Sequence, residues 1–299
     1  MGCRFELLLD RAHGSLDPGA IEAVGLEIEE LVLDWHARLS VFESGSITTR
    51  INSAQAGQSI AIDQEMYELC ALCDRLRTIS AGSFNIAAGT MMHALGFRDS
   101  AELDLDGLDL EHAITLDERR GTITRNDERV SIDFGAIAKG YVLDLARELL
   151  DEYGISNAFV HGGTSSAIAL GTDPDGEAWS VRTGTVDLLV GLYGVGISEP
   201  TGREVIDHGE RVGHVVDPRD HERRGKRLVG AGNQRATVVH ESAAIADALS
   251  TVLCLDASLM DRIIENGIGE LSCVVRGADG VDRVLVDRLG VVSGHGCAG

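Results

Sequence analysis

Between residues 157 and 171 the chain runs NAFVHGGTSSAIALG, two short apolar segments joined by glycines and hydroxyl residues. This is the pattern of strand, tight turn and strand. It constrains the fold strongly, because similar segments recur through the second half. Strand candidates follow at 179–182, 186–197, 211–216, 271–276 and 282–287, with the turn-rich EPTGREVIDHGER between two of them. The first half carries helices instead, after a short strand expected at 3–9. Over residues 18–42, Ile21, Val24, Ile28, Leu31, Trp35 and Leu39 form one apolar stripe, with Asp17 placed as a cap and Pro18 suited to the first turn. The polar stretch FESGSITTRIN then enters a short helical segment, a second helix is expected at 64–79, and another begins near Ser242. Residues 100–128 read as a charged loop with a small helix and a hairpin. Strands bunched after helices, at hairpin spacing, predict an α+β fold with mainly antiparallel sheets rather than a regular βαβ series. No linker, repeat or low-complexity tract divides the chain, so residues 1–299 read as one domain.

Charge narrows the function. With 26 basic against 48 acidic residues the net charge is −22. A nucleic-acid partner is not expected, since contact would add phosphate repulsion instead of releasing counterions. No apolar run is long enough to cross a bilayer. The start, MGCRFELLLD, lacks a basic region, a long apolar stretch and a small-residue cleavage site, and Glu6 breaks the myristoylation pattern. The sequence as it stands reads as cytoplasmic. Of the six cysteines (Cys3, Cys70, Cys73, Cys254, Cys273 and Cys297), Cys70 and Cys73 form a CxxC. They fall inside a helical stripe with Met66, Leu69 and Leu76, away from a helix N-terminus and without a second CxxC, so they read as small core residues.

The stretch DFGAIAKGYVLD (133–144) places one lysine among small residues, between the strand-like RVSIDF and the helical GYVLDLARELLDEYG. Gly135, Ala136, Ala138 and Gly140 leave room for backbone N–H groups to approach a ligand at the positive end of a helix, and Lys139 adds a full charge. On this stretch alone, a phosphate cradle and a tight turn with a solvated lysine read equally well. No GxGxxG after a strand and no GxxxxGK[ST] occurs, so the Rossmann and P-loop modes are absent.

Three further clusters offer chemistry. In ADALST, Asp247 and Thr251 lie at i and i+4 on one helix face, two hard oxygens suited to Mg²⁺. In GHVVDPRD, His214 opens a short apolar strand ended by Asp217-Pro218, as a base, a phosphate donor or a satisfied structural histidine. In VHGGTSS, Gly162 and Gly163 make a turn, with Thr164, Ser165 and Ser166 supplying hydroxyls.

Taken in order, MGCRF, FESGSITTRIN, GSFN, DFGAIAKG, the Gly-Gly hairpin, HVVDP and ADALST resemble the ApbE family, the FAD:protein FMN transferases, from Met1 to about Leu255. The resemblance implies a two-lobed, T-fold-like α+β architecture with FAD bound between the lobes. It implies a Mg²⁺-dependent transfer of FMN from FAD to a Thr or Ser of an acceptor flavoprotein, with release of AMP. The same site with water as acceptor would be an FAD pyrophosphatase, and with its chemistry lost an FAD-binding protein. Carried over residue by residue, Met1 and Phe42 are expected to touch flavin or adenine, and Ser83, Phe84 and Asn85 to contact FAD. Asp133 is expected on the nucleotide and Lys139 on its phosphates. The Ala136 carbonyl, Asp247 and Thr251 are the expected Mg²⁺ ligands, and His214 is expected in FAD handling and transfer. Asn85 stands where the family has Asp, and Ser165 where the Gly-Gly turn runs on into Asp.

Overall fold

The structure, a computed structural model, describes residues 3–9, 18–98, 103–202, 204–207, 209–220 and 233–293. Asp17 lies outside them. Their centre is a seven-stranded sheet whose spatial order is Phe5–Leu9, Ala158–Gly162, Ser166–Leu170, Gly194–Ser198, Arg235–His240, Leu271–Arg276 and Asp282–Asp287. Every neighbouring pair is antiparallel, with Ala158 opposite Leu170, Ser166 opposite Gly196 and Ala236 opposite Ser198. The α+β expectation with antiparallel sheets holds.

Alternation along the strands divides the core into layers, because successive side chains point to opposite faces. Ile168 and Leu170 pack with Val24, Ile28, Leu143 and Leu150 from two helices, Pro18–Leu39 and Ala138–Glu152. Ala167 and Ala169 meet Val186, Leu188 and Val190 on the other face, where Ser180–Thr183, Val186–Leu189 and Val292–Ser293 form a small sheet. The helix Ala243–Leu255, capped by Ser242, lies against the large sheet and is buried all round except at Ile245 and Thr251. Its closeness depends on glycine. A Cβ on Gly194 or Gly196 would strike the helix backbone, and one on Gly140 would strike Ala243 and Ala244 from the helix alongside. The remaining core gathers the helix Gln64–Ile79, with buried Cys70 and Cys73 in its stripe, over a second small sheet of Ser59–Ala61, Thr122–Arg125 and Ile114–Asp117. Burial pushes the Cys70 thiol up to about 12, which fits a packing role.

Several boundaries differ from the sequence reading, each for a local reason. The first helix stops at Leu39, where the Ser40 hydroxyl accepts from the N–H groups of Phe42 and Glu43. Residues 129–134 form only a bridge, Ser131 to Ala88, because side chains take the ladder's hydrogen bonds. Asn52 brackets Ile132 through both its amide atoms, and Thr90 Oγ1 accepts from Ser131 N. The run 186–197 is two strands in different sheets, broken at Val190–Tyr193 by a turn. Residues 103–128 hold the expected hairpin but no helix, whereas GTMMHA forms an unexpected one, Gly89–Ala94. The strand Glu210–Gly213 ends before His214, its last rung pairing Glu204 with Gly213. No helix among the described residues is long and apolar enough to cross a membrane.

Candidate active site

The joint at 133–140 is pinned by two buried side chains three residues apart. Phe134 and Ile137 are buried while Gly135 and Ala136 stay at the surface between them. Asp133 N donates to Ile86 O at 2.8 Å, and Gly135 N donates to Asp133 Oδ1 at 2.7 Å, turning the chain into the helix. That helix starts at Ala138 without a side-chain N-cap. Its second residue, Lys139, places Nζ 3.3 Å from Asp247 Oδ2 and 3.5 Å from Gly135 O.

Asp247 is 2% exposed, a carboxylate in the core of a mostly apolar helix. Three donors satisfy it. Ser166 Oγ donates to Oδ1 at 2.9 Å, while Gly140 N at 3.2 Å and Lys139 Nζ both reach Oδ2. One turn on, Thr251 Oγ1 lies 3.0 Å from Ser198 Oγ, which also meets Ser250 Oγ at 2.7 Å. The two helices that carry these groups are tied end to side. Asp144 accepts from Ser242 Oγ, Ala243 N and Ala244 N at 2.6, 2.7 and 3.0 Å, closing the N-terminus of the second helix with a residue of the first.

Lys139, Ser198, Asp247 and Thr251 line one cavity of about 960 Å³. Its lining includes Phe84, Asn85, Asp133, Ala136, Lys139, His214, Asp247 and Thr251, brought from four separate stretches of chain. Apolar wall is supplied by Ala88, Met92, Ile197, Val215 and Val216, and further polar wall by Arg182, Thr183, Glu199 and Arg235. Arg235 and Glu199 form an ion pair there, as do Asp133 and Arg98 beside the joint. His214 reaches the cavity from an irregular segment between Gly213 and Asp217, not from the strand expected for it.

Two expected contacts are placed elsewhere. Phe42 is 73% exposed in the bend after the first helix and does not line the cavity. Ser83 is buried behind the lining at 2% exposure, with no hydrogen-bond partner for its Oγ. Met1 lies outside the described residues. Asn85, where the resemblance leads one to expect Asp, is held by its amide at both ends. Its Nδ2 donates to Leu110 O at 2.7 Å and its Oδ1 accepts from Ala87 N at 2.9 Å, so a carboxylate would lose the first bond. The residues missed by sequence reasoning are Ser198, Glu199 and Arg235. They meet through the register of Ser198 with Ala236, a pairing across 38 residues that no local pattern announces.

A family model, that of the ApbE family, matches residues 1–272. The chain belongs to the ApbE family. The match extends beyond Leu255 through the strand Leu271–Arg276 as far as its second residue. Among curated relatives of this ApbE chain, an FAD:protein FMN transferase of Haemophilus influenzae is 26% identical over 231 residues, 68% of this chain and 66% of the relative. One of Vibrio cholerae is 23% identical over 270 residues, 85% of this chain and 78% of the relative. The solved ApbE protein of Thermotoga maritima superposes with a TM-score of 0.76 at 19% identity, covering 94% of this chain and 97% of that one, which shows the fold.

Proposed function

We propose that this chain is a Mg²⁺-dependent FAD:protein FMN transferase acting as one flavin-transferase domain with FAD in the cavity. The observation that carries the reading is convergence. Lys139 comes from one helix and Asp247 and Thr251 from another, yet the three meet on one wall, beside an uncapped helix start of the kind that takes phosphate.

The donor set fits a hard divalent ion. Asp247, a carboxylate buried to 2% exposure, Thr251, a hydroxyl one turn away, and Ala136, whose peptide carbonyl is the third expected ligand, all line the same cavity. Asp247, Thr251 and the Ala136 carbonyl would hold Mg²⁺, whose charge, when bound, would offset that of the pyrophosphate. Lys139 supplies a fixed cation on the same wall, 3.3 Å from Asp247, and so binds the ground state as well as the transition state. Phe84, Asn85 and Asp133 border the nucleotide end of the cavity in this reading.

The reaction is a phosphoryl-type displacement. The acceptor's Thr or Ser oxygen bonds to the phosphorus of the FMN half, the P–O bond to AMP breaks, and AMP leaves with the bridging oxygen. The hydroxyl proton has to go to a base, and His214 is the imidazole on the cavity wall. Positioning and charge carry the rest, since such a transfer leaves the protein little covalent work. The partner in this scheme is an acceptor flavoprotein, and the reaction is placed in the cytoplasm.

The test is mass spectrometry of an acceptor protein incubated with the enzyme, FAD and Mg²⁺. An adduct of FMN that survives denaturation, with AMP formed in equal amount, is expected. FMN and AMP accumulating without an acceptor would replace the reading with a pyrophosphatase, and absence of both products would overturn it.

A further inference from the structure

The hydroxyl of Thr251 can serve a cation only if its own proton is directed elsewhere. A hydroxyl has one proton to donate and two lone pairs to accept with. Three hydroxyls meet at this point of the cavity wall, and counting their protons settles each direction. Ser250 Oγ donates its proton to the Asp247 carbonyl at 2.8 Å. Its contact with Ser198 Oγ, at 2.7 Å, therefore takes the Ser198 proton. With that proton used, the 3.0 Å contact between Ser198 and Thr251 takes the proton of Thr251. The chain of donation runs Thr251 to Ser198 to Ser250 to the Asp247 carbonyl. It starts at the cavity and ends inside the helix that carries Asp247.

Thr251 does not spend its proton back along its own helix, as a mid-helix threonine commonly does. Its lone pairs remain for the cavity, where Thr251 and Ser198 are both part of the lining. Ser198 comes from the neighbouring strand, Gly194–Ser198, brought within reach by the bare backbone of Gly196 against Ala246. Ser250 is fully buried, so its donation to the carbonyl is shielded from water.

We infer that Ser198 is a positioning residue for the cation site: by accepting the Thr251 proton, it presents Thr251 as a pure oxygen acceptor to a divalent ion. The inference rests on the reading of Asp247 and Thr251 as metal ligands. It assigns a role to a residue outside the ADALST motif, on a different element.

The experiment uses the full chain with FAD bound and Mn²⁺ as probe, with free Mn²⁺ read by electron paramagnetic resonance and the FAD-only titration subtracted. Ser198→Ala is expected to weaken Mn²⁺ binding by roughly 10–100-fold, the usual cost of losing the hydrogen-bond partner that orients a ligand. Ser198→Thr, which keeps the hydroxyl, is expected to bind close to wild type. In a Thr251→Val background, where no hydroxyl proton needs a partner, Ser198→Ala is expected to add almost nothing, so the two losses do not sum. Wild-type protein that binds no Mn²⁺ beyond FAD alone would remove the metal reading itself, and the inference with it. Wild type that binds while Ser198→Ala binds equally well, or losses that simply add in the double variant, would overturn the role of Ser198 and leave the metal reading standing.

Discussion

Asp247 shows why a residue's position on a helix wheel is not its environment. The i, i+4 spacing with Thr251 suggests a surface pair, but Asp247 is 2% exposed and receives Ser166, Gly140 and Lys139. Asp247→Asn therefore costs stability as well as activity. Ser166 can turn its hydroxyl to accept from the amide, and Gly140 N–H keeps an oxygen. The charge opposite Lys139, whose side chain is only 19% exposed, is not recovered. A loss of about 1–3 kcal/mol is expected in urea unfolding without Mg²⁺ or FAD, together with loss of nearly all FMN transfer. Unchanged unfolding would mean that the pair contributes nothing to the fold. Asn85 gives a second case. Asn85→Asp installs the residue that the resemblance leads one to expect there, yet it sets a carboxylate oxygen against the Leu110 carbonyl, at a cost of about 1–3 kcal/mol near neutral pH. Below the carboxyl's pKa the protonated side chain can donate to Leu110 again, so the deficit is expected to shrink on acidification. A deficit independent of pH would place its origin elsewhere.

At the scale of elements, the site is a contact between two helices and one strand held closer than side chains allow. Gly140 is the narrowest point, where a Cβ would meet the Ala243 and Ala244 backbone. Gly140→Ala is expected to push the helices apart and cost about 1–3 kcal/mol through overpacking. It also moves Gly140 N–H from Asp247, so transfer should fall further than stability explains. Normal kinetics with lowered stability would separate the two effects and count against the helix contact as part of the site. Much of this was legible in the chain. The helix Gln64–Ile79 and the strands Leu271–Arg276 and Asp282–Asp287 follow from period and turn residues alone. Lys139, Asp247 and Thr251 stand out as candidates by spacing and residue type, and the structure brings them to one cavity with His214. Phe42 was not legible, since nothing local says that Ser40 ends the helix and turns the ring outward. Ser198 and Glu199 depend on long-range register, which a one-dimensional pattern does not carry. The alternation of 129–134 misled because Asn52 and Thr90, far away in sequence, supply the bonds that a neighbouring strand would have made.

At the scale of the whole molecule, charge weighs most. There are 48 acidic and 26 basic residues, so even if every basic group were paired, 48 − 26 = 22 carboxylates would stay uncompensated. Many of the pairs that do form are exposed, such as Arg283 with Asp279 and Arg182 with Asp187, and exposed pairs add little to stability because water and salt screen them. Folding brings the excess negative charge into a smaller volume than the unfolded chain occupies, which opposes the compact state. Monovalent salt screens the attraction and the repulsion alike. The repulsion acts over longer distances than a contact pair, so screening removes it first as the Debye length falls from about 30 Å at 0.01 M to about 3 Å at 1 M. The melting temperature is therefore expected to rise between about 0.01 M and about 0.5 M KCl. A gain of about 1 kcal/mol would correspond to roughly 1.5–2 °C for a chain of 299 residues. Chloride is the right anion for the test, because sulfate stabilises folded proteins by exclusion regardless of their charge. A melting temperature that falls with KCl would show that the ion pairs outweigh the excess of carboxylates, and the assignment of charge as a destabilising load would fail.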